Sequence, residues 1–453
     1  MFNLLSSAAM PLARPVLPRI NTIRTLAGVV SILLAAAVFP SVSAAENSDL
    51  EKGRSAYARK SYEEAAEHFR RAAEQGDAEA QLQFGKSLYK GEGVEKDQAA
   101  AAKWILKAAE QGNLEAQYEI ASFFGKGVGI EKNEAEAVKW VRGSADGGFA
   151  KAQLFLAKCY LKGELFDKDE AEAEKWFRKA AEGFRAGAEQ GDDEAQFHLG
   201  MCYLTGSGVK QDTAEAEKWF RKSSDLGDAE AMNQLGMIFK SKGDDAEAVE
   251  WWRKAAELDD ENGQSNLGMS YLTGSGVKKD EAEAVKWFRK SAEQGHPVAQ
   301  NQLGHCFKRG AGVKKDEKEA ATWWRKAAEQ EYPDGQFNLG MCYLTGTGVK
   351  KDEAEAVEWF RKSAEQGNAD AQNRLGYSLK IGTGVEKDEE EAAMWWRKAA
   401  EQGHSDGQFN LGMCYMTGTG LKKNQAEGLK LLRKSAEQGN QSAKNMLKKF
   451  VGN

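Results

Sequence analysis

Five cysteines, five histidines and the Ser-x-x-Lys pair of Ser87 and Lys90 are among the residues of this 453-residue chain whose chemistry could exceed packing. Cysteine can bridge, ligate a metal or act as a nucleophile. Here Cys159, Cys202, Cys306, Cys342 and Cys414 each stand two residues after a Gly or Ala, in one recurring context that never holds two of them. If that context is a helix, its copies stack ~8–10 Å apart. A disulfide needs Cα atoms within ~7 Å. The expectation is five unbridged thiols serving as small apolar fillers. His68, His198, His296, His305 and His404 show no metal-ligand spacing, so no metal site is expected. Ser87 and Lys90 have the spacing of a serine nucleophile with a lysine base, but no Ser-Asp-Asn or Lys-Thr-Gly accompanies them. Gly-x-Gly stretches such as Gly346-Thr347-Gly348 lack the preceding strand that a dinucleotide site requires. Lysine pairs follow them (Lys278-Lys279, Lys314-Lys315, Lys350-Lys351, Lys422-Lys423) and read as a solvated loop row. No catalytic residue and no cofactor is expected.

The elements beneath these residues are repeats. Successive copies begin at Asp260, His296, Tyr332, Asn368 and His404, a period of 36 residues. Ten such units run over 77–439, and a period of this size is the signature of a solenoid. Each parses as two helices. In the eighth, Pro333 to Leu344 forms the first and the glycine loop turns the chain. Asp352 then caps the second, with Glu355 three residues on. The same Asp/Asn-x-x-Glu pattern recurs at Asn133, Asp169, Asp212, Asp280, Asp316, Asp388 and Asn424. All twelve tryptophans fall in second helices, where a fixed register predicts core packing between units that cannot bury a face alone.

Two units depart from the period. The third, Phe149 to Gly191, carries seven extra residues that predict a second helix longer by ~10 Å. The fifth, Asp228 to Asp259, has lost the Gly-x-Gly loop. From the fourth unit on, a double period also appears. Trp-Phe-Arg-Lys-Ser (at 219, 287, 359) alternates with Trp-Trp-Arg-Lys-Ala (at 251, 323, 395), and Lys240, Lys308 and Lys380 replace a Leu or Met in step.

Ala-Gln-x-x-Leu-Gly-x-x-Tyr, then Gly-x-Gly-Val, then Trp-Phe-x-Lys-Ala-Ala-Glu-Gln-Gly resembles the Sel-one-like repeat family, a relative of tetratricopeptide repeats. The resemblance implies an all-α fold: a right-handed α/α solenoid of about ten two-helix repeats with capping helices, used as an adaptor for other proteins. A tetratricopeptide-like unit in 45–76 would cap the front and a helix in 440–453 the back. The single cysteine per repeat departs from the cysteine-rich members, which pair two. That weakens any transfer of the penicillin-binding and β-lactamase activity attributed to them.

Met1 to Arg24 is basic without an acid, Leu26 to Phe39 is apolar apart from Ser31, and Ser43-Ala44-Ala45 is small. This order predicts a secretory signal peptide over 1–44. An uncleaved anchor and an organellar presequence are the alternatives, the first short of the ~20 residues of a spanning helix and the second broken by prolines. No other stretch could cross a membrane. With 63 Lys+Arg against 69 Asp+Glu, nucleic acid is an unsuitable partner.

The expectation for function is a periplasmic or secreted bacterial scaffold that binds a protein or peptide along its concave face. By analogy with tetratricopeptide repeats, first helices line that face. The apolar rungs would then be Phe197, Met201 and Leu204; Met269 and Leu272; Phe337, Met341 and Leu344; and Phe409, Met413 and Met416. Asn301, Lys308, Asn373 and Lys380 would supply polar rungs between them. Packing between repeats is the competing reading of these side chains. The competing functions are a cell-envelope enzyme of the cysteine-rich type, or a regulator of a cell-wall enzyme.

Overall fold

The computed structural model describes residues 48–451; the expected signal peptide lies outside them. Twenty-three helices follow one another from Asp49–Ala58 to Gln441–Val451, with no strand among the described residues. They pair in sequence as two-helix repeats, and each pair packs on the next.

Local rules explain the eighth repeat. Pro333 opens its first helix, Pro333–Thr345, at the position where the missing N–H costs nothing. Gly346 closes it with φ 77°. Gly348 follows with φ 72°, and a Cβ there would lie 1.9 Å from the Glu317 carbonyl of the preceding repeat. Only glycine lets the loop seat this closely. Asp352 then caps Glu353–Glu365, its carboxylate accepting from the backbone N–H of Ala354 and Glu355 at 3.1 Å. The other seven expected caps accept from the backbone of the Glu three residues on in the same way. Some of those glutamates take a different donor: Glu355 and Glu391 each accept from an indole Nε1, of Trp359 and Trp395.

The tryptophans lie in second helices as expected, but the leading aromatic is not the deepest. Trp219, Trp287 and Trp359 are half-buried, with the ammonium groups of Lys222, Lys290 and Lys362 over their rings at 3.9–4.5 Å. The residue that follows goes into the core. Phe220, Phe288 and Phe360 have no exposed surface. Each ring presses on a first-helix glycine; a Cβ on Gly340 would sit 2.7 Å from the Phe360 ring.

This contact explains the double period. Where the second aromatic is Phe, a first-helix Phe often fills the space beside it: Phe197 against Phe220 at 5.7 Å and Phe337 against Phe360 at 5.9 Å between ring centroids. Where it is Trp, an asparagine stands there instead. Trp324 and Trp396 donate to the backbone carbonyls of Asn301 and Asn373 at 3.1 and 3.2 Å. Their indoles reach far enough for Lys308 and Lys380 to lie over them at 5.5 and 5.7 Å. The alternation thus conserves core volume, as close packing demands.

All five cysteines are free and buried. Burial pushes the thiols of Cys202, Cys306, Cys342 and Cys414 up to about 11. The third repeat's second helix, Glu170–Glu189, runs 20 residues against 13 in its counterparts. Its front half packs in its own repeat through Ala173, Trp176 and Phe177. Its back half packs on the fourth repeat through Ala180, Phe184 and Ala188. The stack therefore steps along this helix by the two added turns, ~10 Å. In the fifth repeat, Lys242–Asp244 replaces the glycine loop between Ala229–Ser241 and Asp245–Glu257.

Candidate binding groove

First helices of adjacent repeats bond to each other directly. Asn266, Asn338 and Asn410 donate to the amide oxygens of Asn233, Asn301 and Asn373, each at 2.9 Å. Asn368 reaches Asp334 at 2.8 Å and His404 reaches Asp370 at 3.1 Å. Second helices meet across repeats through fewer side chains, such as Arg361 and Glu391 at 2.6 Å. The first helices are thus the layer in which side chains of neighbouring repeats bond most directly.

The expected residues divide within that layer. Phe197, Met201, Leu204, Met269, Leu272, Phe337, Met341, Leu344, Phe409 and Met413 are half-buried and pack on the neighbouring core. Each still offers surface. Lys308 is exposed and Lys380 half-buried, both over indole rings. Asn301 is 3% exposed and Met416 7%. Asn301 holds the seventh repeat to the eighth through Asn338, and Met416 packs with Leu432 and Ala443 at the closing helix. Asn373 makes the equivalent join to the tenth repeat. These three side chains do the work of packing.

Met237, which shares the register of the expected methionines, completes the surface together with two residues not expected there, His305 and Tyr377. The register of Met201, Met269, Met341 and Met413 continues as Met237, His305 and Tyr377. Met237 and Tyr377 are nearly half exposed. The methionine register itself contains Met237, and carrying it through the other odd repeats finds His305 and Tyr377.

A cavity of about 370 Å³ opens at the middle of this layer, lined by Leu272, His305, Arg309, Asp334, Phe337 and Asp370 among others. Burial pushes the His305 imidazole below its ordinary value, and Arg309 and Lys308 push the same way. It is therefore neutral near pH 7, and it stands edge-on to Trp324 at 5.2 Å. Asp370 is held low by its bond to His404. Arg309 is exposed and has no ion-pair partner among the described residues. Its walls are mostly polar, with Leu272 and Phe337 as the large apolar members, and so offer both hydrogen-bonding groups and apolar contact to a peptide segment.

The Ser-x-x-Lys pair does not form a nucleophile and base. Ser87 is buried and donates to the Gln83 carbonyl at 3.1 Å, while Lys90 turns to Glu92 at 3.7 Å. Among the described residues no three His, Cys, Asp or Glu side chains cluster as metal ligands would. No described helix is long and apolar enough to cross a membrane.

The Sel1 repeat model matches residues 50–77, 78–113, 114–149, 150–183, 193–228, 262–296, 297–332, 333–368, 369–404 and 405–440. A tetratricopeptide repeat model matches 229–262, the fifth repeat with its lost glycine loop. No curated protein matches the chain. Among solved structures, a protective antigen of uropathogenic Escherichia coli with an SLR fold is 34% identical, covering 85% of this chain and 90% of that one, at a TM-score of 0.39. A Sel1 repeat protein from Oxalobacter formigenes is 30% identical over 77% of this chain and 90% of that one, at 0.40. Cysteine rich protein B of Helicobacter pylori is 27% identical over 30% of this chain and 97% of that one, at 0.25.

Proposed function

The chain belongs to the Sel1 repeat family, and on that premise we propose that it is a non-catalytic scaffold that binds a protein or peptide on the layer of its first helices. The carrying observation is the row of half-buried Phe, Met and Leu side chains at one register, continued by exposed Met237 and Tyr377. A solenoid has no need to leave large apolar side chains at the surface of every second repeat. Thioethers suit partners of varied shape, and the central cavity adds Arg309 for a carboxylate. The basic, apolar and small-residue order of 1–44 supports export, and with it action in the periplasm or outside the cell.

The test is partner capture from envelope extract followed by a measured affinity. The triple variant Met269→Ser, Phe337→Ser, Met341→Ser should bind the captured partner at least ~tenfold more weakly, ~1.4 kcal/mol, at a similar melting temperature. Unchanged binding would reject the groove. Substrate turnover by the pure chain would instead favour an enzyme.

A further inference from the structure

A second cavity, of about 380 Å³, lies between the second and third repeats. Its walls include Tyr118, Gly125, Val141, Phe155 and Leu165. Tyr118 and Gly125 occupy the register that Phe337 and Leu344 hold in the eighth repeat. The cavity is therefore in line with the groove, beyond its expected end.

Three departures from the repeat create it. The core position filled by Phe177 in the third repeat and Phe360 in the eighth holds only Val141, and the position of Leu344 holds Gly125. A Cβ on Gly125 would meet nothing nearer than Ala137 at 3.9 Å. The third departure is Leu165. Its counterparts Gly93, Gly129 and Gly348 seat against a backbone carbonyl of the preceding repeat, where a Cβ would come within 2.0 Å. Leu165 takes the same left-handed backbone, φ 62°, and cannot seat that way. An L-residue in that conformation costs ~1–2 kcal/mol. Leu165 stays 48% exposed and Phe155 38% exposed at the opening.

The charge around the opening is uneven. Glu134 lines the cavity but is paired with Lys132 at 2.8 Å. Lys86 is bonded to Glu115 and Lys151 to Glu194. Burial raises the carboxyl of Glu119, beside Tyr118, above its ordinary value, against the pull of both those lysines. Lys126 lines the cavity, is exposed, and has no ion-pair partner among the described residues. Of the two charged residues that line the cavity, the unpaired one is thus positive.

We propose that this cavity is a socket for one bulky apolar side chain of a bound peptide, with a neighbouring peptide carboxylate held by Lys126. The volume is within the ~300–1,000 Å³ of ligand pockets, so an indole enters whole. The inference rests on the groove reading and extends it to repeats two and three, with a stated sequence preference: a large apolar residue beside an acid.

Blocked dipeptides on the full mature chain provide the test, with methyl NMR of Val141 and Leu165 as the readout. Acetyl-Trp-Glu-amide should shift both methyls and bind at least ~threefold more tightly than acetyl-Trp-Lys-amide. Val141→Phe with Gly125→Leu restores the side chains of other repeats, so folding is preserved; it should abolish the binding without lowering the melting temperature. Lys126→Glu should reverse the preference. No shift with either dipeptide, a site elsewhere, or a response to decanoate alone would overturn the socket. Those failures leave the groove reading standing, because its triple variant lies in repeats six and eight and should not affect dipeptide binding.

Discussion

Exchanging one packing solution for the other in the seventh repeat tests the volume argument. Trp324 is 1% exposed and donates to the Asn301 carbonyl. Trp324→Phe removes ~40 Å³ of buried ring, worth ~1 kcal/mol at ~24 cal/mol per Å³ of cavity. The lost hydrogen bond adds ~1 kcal/mol. Asn301→Phe alone drives a ring against the intact indole, an overpacking of ~1–3 kcal/mol, and removes the acceptor of Asn338. The double variant recreates the pair seen as Phe337 and Phe360, whose rings sit 5.9 Å apart. It should therefore cost less than the sum of the singles by at least ~1.5 kcal/mol, a coupling expected only of touching residues. Chemical denaturation of the four proteins measures this, provided the slopes agree. Hydrogen exchange should place the weakened amides in repeats six to eight, since contacts are between neighbours. Costs that add within ~0.5 kcal/mol would refute compensation and leave the alternation unexplained.

Three further outcomes follow from the buried groups and the caps. Burial pushes the imidazoles of His198, His296 and His305 below the ordinary 6.5. The unfolded chain then takes up protons at a higher pH than the folded one, so stability should fall as pH drops below ~6.5 and be insensitive to these groups above it; a pH series of melting temperatures that rises on acidification would contradict it. Native thiols, protonated and buried, should react with a disulfide reagent only on unfolding, and the denatured, unreduced protein should then titrate five; three or fewer would mean a bridge. Asp352→Ala removes a carboxylate that accepts from two backbone N–H groups, and should cost ~1 kcal/mol, with faster amide exchange confined to the start of Glu353–Glu365.

The helices, caps and glycine turns were legible because they obey local rules that repeat. Asp352 announces a helix start wherever it stands, and Gly346 ends one by its own backbone freedom. What a repeat does with its neighbour is less legible, because it depends on pairs of side chains far apart in the chain. Asn301 and Asn373 read as polar rungs of a groove. Their partners Trp324 and Trp396 lie 23 residues on, and only the packed structure shows that an asparagine there makes room for an indole. Lys308 and Lys380 follow from the same exchange. Phe337 and Met341 lie on the first helix Pro333–Thr345, because the period carries one repeat's geometry to the next.

The same logic identifies where this solenoid is least regular, and there its surfaces differ in kind. The fourth and eighth repeats pair Phe with Phe where the seventh and ninth pair Asn with Trp, and across repeats four to ten the shared register carries Met or an aromatic ring. Repeats one to three stand on the other side of the step in Glu170–Glu189. At that register they carry Lys86, Ser122 and Lys158, and one turn on they carry Lys90, Lys126 and Lys162. They also leave volume unfilled at Val141 and Gly125. A cavity costs stability in proportion to its size, and Leu165 adds backbone strain to it. Both costs sit in one place, beside the basic part of a layer that is otherwise apolar, and a neighbour-by-neighbour stack confines them to that join. A repeat array can therefore carry a locally unfavourable site without loosening the rest, which is the arrangement a scaffold with two chemically different contact regions requires.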